Sequence, residues 1–260
     1  MTRNYYFLAN ALPELQIGVP PDLDFRSFIV LAKNNLWDVD YEEIRILREY
    51  YDIQNIRSFW REEEISDRGN YDENALEEAL LTQEGFPPFV YDFLDRYDDV
   101  EERLYNFPAL VAGYFQYYLP RTSGFLHDYL TFEREWRLVF TGFRAKKLGR
   151  DLMKELQFED PNDDLVAQII AQKDAKNYEP PDRYADLKVL FEEHGDAPME
   201  LHQALCDYRF QKIDSLLGVD IFTINRIVGY MAQLIIVEKW LELDRKKGEQ
   251  IVESIVKEAS

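Results

Sequence analysis

Few side chains in this sequence stand at spacings that carry chemistry. His202 and Cys206 lie four residues apart, so on a helix they share a face and offer two metal ligands. Two ligands do not complete a site, and packing or a surface position is the ordinary reading. A di-iron carboxylate centre in a helical bundle needs Glu-x-x-His on two helices. The residues three positions before His127, His194 and His202 are Gly124, Phe191 and Met199, so that pattern is absent. Glu133 and Glu135 would point to different faces of a helix and make a poor acid–base pair. The phosphate-cradling G-x-x-x-x-G-K-[ST] loop, the G-x-G-x-x-G turn and the G-x-S-x-G elbow are all missing. The sequence therefore calls for no catalytic residue, no metal and no cofactor, and the expectation is a protein that is not an enzyme.

What does recur is an acid inside a helical, aromatic-rich stretch with basic residues downstream. The first copy is Tyr50-Tyr51-Asp52-Ile53-Gln54-Asn55-Ile56-Arg57. The second is Phe132-Glu133-Arg134-Glu135-Trp136-Arg137-Leu138, running on to Phe143-Arg144-Ala145-Lys146-Lys147. The third is Val237-Glu238-Lys239-Trp240-Leu241, running on to Asp244-Arg245-Lys246-Lys247. Setting Asp52, Glu135 and Glu238 in register brings Asn55, Leu138 and Leu241 into line. Chance likeness between amphipathic helices is the competing explanation.

The elements that must position these residues are helices. The chain has 260 residues, 46% of them hydrophobic and 15% aromatic, with only 11 glycines and 11 prolines. That composition supports a packed core and long regular elements with few turns. Residues 4–12 read equally as an edge strand or the start of a helix. Asp22 or Asp24 caps a helix reaching about Asn34. A long helix follows over about Asp40–Glu64, a short one over Asp72–Gln83, and one or two aromatic-laden helices over 89–119. A second long stretch covers about Gly124–Gln157, with Phe132, Trp136, Val139 and Phe143 on one face. Further helices are expected over 163–176, 182–194 and Pro198–Leu217. Ile221–Lys247 carries Ile227, Tyr230, Leu234, Val237 and Leu241 as a narrow seam that needs a partner helix, and a separate helix over 249–258 is expected beyond Gly248. The aromatic run Tyr114-Phe115-Gln116-Tyr117-Tyr118 reads first as core.

Charge excludes further classes. The formal net charge is −20, so nucleic acid and anionic lipid surfaces repel the chain. Acidity maintains solubility, or it complements a basic partner. The lone Cys206 can form no internal disulfide. The apolar start is too short for a secretory leader, and the apolar run from Ile227 to Val237 falls short of the roughly 18–20 residues that cross a bilayer. A cytoplasmic protein without direct membrane insertion is expected.

The repeats resemble those of the C-type stalk component of rotary V-type and A-type ATPases, in which an acid-x-x-Asn-Leu-Arg theme recurs in three lobes followed by Arg-x-Lys segments. Asp52-Ile53-Gln54-Asn55-Ile56-Arg57 is the nearest match, and Phe143-Arg144-Ala145-Lys146-Lys147-Leu148-Gly149 resembles the later segment. The opening Asn4-Tyr5-Tyr6-Phe7-Leu8-Ala9-Asn10-Ala11-Leu12-Pro13-Glu14-Leu15 is similar to a bacterial family encoded with V-type ATPase genes. The chain is shorter than a typical stalk component of this type, Leu138 replaces the expected Asn, and Trp240-Leu241 replaces Asn-Leu-Arg. The resemblance implies an all-α, elongated multi-helix array in a single helical domain, with pseudo-threefold lobes over 1–85, 86–160 and 161–260. It implies a non-catalytic central-stalk adaptor between the shaft and the membrane rotor ring, held beside the inner membrane through the complex. Its candidate interface residues are Arg57, Arg144, Lys146, Lys147, Arg245, Lys246 and Lys247, for which neutralising helix C-terminal dipoles is the plainer role. Another cytoplasmic helical adaptor or regulatory protein is the alternative.

Overall fold

The computed structural model describes residues 3–219 and 221–258, with side chains described as far as Asp244. Among the described residues every regular element is helical: thirteen α-helices, two single 3₁₀ turns and no strand. The all-α class expected from the composition is the class observed. Residues 4–12, undecided from sequence, contain α1 (Tyr6–Ala11).

By compactness the chain forms two units, Met1–Tyr41 with Leu190–Ser260 and Glu42–Val189. In the first, α2 (Phe25–Asn35) begins at Asp24, whose side chain accepts from the amide of Ser27, one of the free donors of the first turn. The helices α12 (Pro198–Leu216) and α13 (Ile224–Glu258) pack together, and α13 also receives α1 and α2. The expected seam is buried at Ile227, Tyr230, Leu234 and Val237 and half-buried at Leu241. Gln233, the one polar residue in that apolar run, donates to the Asp214 carboxylate on α12 at 2.7 Å. A buried amide with a partner avoids the cost of desolvation without a bond. The break expected at Gly248 does not occur, because α13 runs through it. One glycine inside a helix costs only about 1 kcal/mol, too little to end a helix by itself.

The second unit is built on two long helices. The first, α3 (Asp38–Trp60), enters it from Glu42 onward; the second is α8 (Gly124–Leu148). Between them lie α4 (Glu73–Thr82), α5 (Pro88–Arg96), α6 (Val100–Tyr105) and α7 (Pro108–Tyr118). Beyond α8 come α9 (Leu152–Glu155), α10 (Asp164–Ala171) and α11 (Ala185–His194), whose last residues belong to the first unit. Asp72, Asp99 and Asp163 cap α4, α6 and α10 through bonds to first-turn amides. Gly149, in the left-handed region at φ 65°, closes α8. The aromatic run on α7 is core at Tyr114, Phe115 and Tyr118, as expected. Tyr114 ties α7 to α3 by donating to the Ile46 carbonyl at 2.8 Å.

Candidate functional site

The residues of the recurring motif act first as clamps. Asp52 and Asn55 lie one turn apart on α3 and are 0% and 2% exposed. Asn55 exchanges two hydrogen bonds with Ser66, donating to its carbonyl and accepting from its amide, both at 2.8 Å. Asp52 accepts from the Tyr71 amide at 3.1 Å and from the Asn70 side chain at 2.7 Å. Arg48 donates to the carbonyls of Arg68 and Gly69. Three α3 side chains thus hold the loop between α3 and α4 by its main chain. Burial pushes the Asp52 carboxyl up to about 6, although the Tyr71 and Asn70 bonds oppose the shift. One turn away, the Glu49 carboxyl is pushed up to about 7, chiefly by burial and in part by the Asp52 charge, while the hydrogen bond from the Tyr118 hydroxyl lowers it.

The other two register positions do related work. Glu135 accepts from the Tyr184 hydroxyl at 2.7 Å and the Arg183 guanidinium at 3.0 Å, in the 3₁₀ turn that opens α11. Glu238 accepts from the amide of Phe25, the first residue of α2, at 2.8 Å. Each of the three acids therefore secures the beginning of another helical element within its own unit. Of their partners in the motif, Leu138 is buried and Leu241 half-buried.

The basic residues separate into different roles. Lys146 is half-buried and donates to the carbonyls of Lys173 and Ala175, both at 2.6 Å, just past α10. Its ammonium thus ties the end of α8 to two loop carbonyls beyond α10. Lys147 is exposed at the end of α8. Arg245, Lys246 and Lys247 lie outside the residues whose side chains are described.

Arg57 and Arg144 converge on one groove of about 400 Å³ in the second unit, formed by α3, α7, α8 and α9. Its floor is Tyr50, Phe115, Trp136 and Arg137. The Arg137 guanidinium lies 4.6 Å from the Tyr50 ring centre, 5.0 Å from that of Trp136 and 5.6 Å from that of Phe115, and it bonds the Glu133 carboxylate at 2.7 Å. Cation and rings hold each other in place. Arg134, also lining the groove, bridges Glu159 at 2.8 Å and Asp163 at 2.9 Å. Glu155 meets Arg150 at 3.4 Å. Arg57 and Arg144 are exposed and, among the described residues, form no ion pair; Arg57 stacks on Phe107 at 5.4 Å.

Sequence reasoning misses Arg134 and Arg137, although the steps of three, four and three through 134, 137, 141 and 144 place one stripe along α8. The groove can hold an anion: two unneutralised guanidiniums offer forked donors beside aromatic surface.

Elsewhere, His202 is exposed while Cys206 is buried, so the pair does not form one site. Among the described residues no group of three or more His, Cys, Asp or Glu is arranged to hold a metal ion, and no helix is long and apolar enough to cross a membrane.

Comparison with known proteins gives relatives along nearly the whole chain. An uncharacterised protein of Chlamydia trachomatis is 31% identical over 258 residues, covering 95% of each chain. Another, of Chlamydia pneumoniae, is 30% identical over 264 residues and covers 97% of each. A third, of Chlamydia muridarum, is 29% identical over 254 residues, covering 95% of this chain and 96% of its own. No solved structure matches. The chain belongs to the DUF2764 family, described as proteins of unknown function, whose pattern it matches over residues 1–259.

Proposed function

We propose that this protein is a non-catalytic docking component, the central-stalk adaptor that joins the shaft of a rotary V/A-type ATPase to its membrane rotor ring. The observation that carries the reading is the convergence of Arg57 and Arg144 on one groove. They come from the first two copies of the motif that resembles the rotary stalk, and they are exposed cations that form no ion pair among the described residues, in a chain of charge −20. Such residues steer an encounter and set its register more than they stabilise the fold. The clamps made by Asp52, Glu135 and Glu238 support the same reading, because a part that passes torque must hold its helices stiffly. Three lobes about a common axis and a station on the cytoplasmic face of the inner membrane belong to this proposal.

Purification of the tagged chain from native membranes tests it. The shaft and ring proteins are the expected companions, and Arg57→Glu with Arg144→Glu should release them while the thermal melt stays unchanged. Recovery of other proteins without ATPase components would replace this reading with that of a different helical adaptor.

A further inference from the structure

The second unit carries another groove, of about 700 Å³, between the end of α3, α4, the end of α5 and the start of α6. Its floor is apolar, with Phe59, Trp60, Leu80 and Leu94. Leu81 stands at its edge and is 78% exposed, and Val100 on the far side is 42% exposed. Glu77, Leu80 and Leu81 share a face of α4 that adjoins the one burying Leu76 and Ala79 in the core, with the half-buried Leu80 one turn from Leu76 where the two meet. The apolar surface of the helix therefore runs on from the core to Leu81, in solvent.

The rim is acidic. Glu77, Asp95 and Asp98 are exposed around this floor. Glu77 and Asp98 form no ion pair among the described residues, and Asp95 accepts only from the neutral Gln83 amide at 3.0 Å. The one cation of the lining, Arg103, is turned inward: it donates to the carbonyls of Tyr97 at 2.8 Å and Leu94 at 3.4 Å and lies over the Trp60 ring at 5.7 Å. Its guanidinium is occupied in supporting the floor, so the carboxylates face outward unneutralised.

We propose that this groove docks an amphipathic helix of a partner protein that carries Lys or Arg beside a leucine-rich face. The charge selects that occupant. A second copy of a chain of charge −20, an anionic lipid surface and a nucleic acid would each be repelled by the rim. An apolar floor ringed by carboxylates fits a basic helix laid along it, with the leucines in the groove and the cations on the rim. The inference stands on a different surface from the arginine groove and does not depend on the rotary reading.

The full chain is titrated into a fluorescently labelled Leu/Lys amphipathic peptide of about 15 residues, long enough to form a helix on a surface, and anisotropy is read. A Leu/Glu peptide of the same pattern is the control. Binding of the basic peptide is expected to weaken at least about tenfold with Glu77→Lys plus Asp98→Lys, and similarly with Leu81→Gln. Asp128→Lys plus Asp174→Lys changes the net charge as much at exposed positions outside the groove and should leave binding within about twofold. Equal loss from that remote pair, indifference to Leu81→Gln, or equal binding of the acidic peptide would each overturn the proposal. Circular dichroism melts confirm that every variant is folded.

Discussion

Asp52 on α3 accepts the backbone amide of Tyr71 at 3.1 Å, nineteen residues along the chain and directly before the capping residue of α4. One buried carboxylate thereby sets where the next helix begins. Gly69, in the same loop, lies so close to Asp52 and Asn55 that an added methyl would fall 2.8 Å from the Asn55 amide nitrogen and closer still to the Asp52 carboxylate. Both neighbours are tied by their own bonds and have little room to move.

Asp52→Ala should lower stability by about 2–4 kcal/mol, since it leaves the Tyr71 amide and the Asn70 side chain without their acceptor. Gly69→Ala should cost about 1–3 kcal/mol by overpacking. Urea denaturation of both variants checks this. A loss under about 0.5 kcal/mol in either would mean that the loop finds another path.

Glu49 gives a pH dependence of known sign. Its folded-state value is raised to about 7 from an ordinary 4.5, so the folded chain holds this proton more tightly than the unfolded chain. The stability it contributes is complete below pH 4.5 and is lost as the pH rises through 7. Glu49→Gln keeps an acceptor for the Tyr118 hydroxyl and removes the titration. The variant should therefore be more stable than the parent at about pH 8, with the difference narrowing toward about pH 5. Parallel melts across that range decide it, and a constant offset between the two proteins would rule the mechanism out.

Arg134 joins Glu159 and Asp163, and Asp163 also caps α10. Arg134→Ala should destabilise by about 3 kcal/mol, because partly buried carboxylates lose their partner. Hydrogen exchange should rise first at the start of α10. Unchanged protection there would place the stabilisation elsewhere.

Glu238→Ala removes the acceptor of the first amide of α2 and should cost about 1 kcal/mol, the usual scale for a lost cap. Glu238→Gln should restore most of it, since the side-chain carbonyl can still accept. Calorimetric melts of the pair separate loss of the bond from loss of the charge.

Local physics makes much of the fold legible. The caps at Asp24, Asp72 and Asp163 and the seam on α13 each follow from the chemistry of a few neighbouring residues. Helix ends are less legible: α3 stops at Trp60 rather than near Glu64, and α8 stops at Leu148, before Gly149, rather than near Gln157. The site is legible only in part. Arg57 and Arg144 stand out as basic residues in an acidic chain, but their meeting at one groove depends on how α7 meets α3, through Tyr114 and Tyr50, and α8. The inward turn of Lys146 depends on carbonyls 27 and 29 residues away, which no periodicity reports.

The compact unit that joins Met1–Tyr41 to Leu190–Ser260 has a consequence for synthesis. On the ribosome α1 and α2 emerge before the helix they pack against, because α13 lies far downstream of them in the chain. The segment Glu42–Val189 has its own interior and is free to fold meanwhile. Translation that stops short of α13 would strand α1 and α2 with their apolar sides in water, a state that chaperones and proteases recognise.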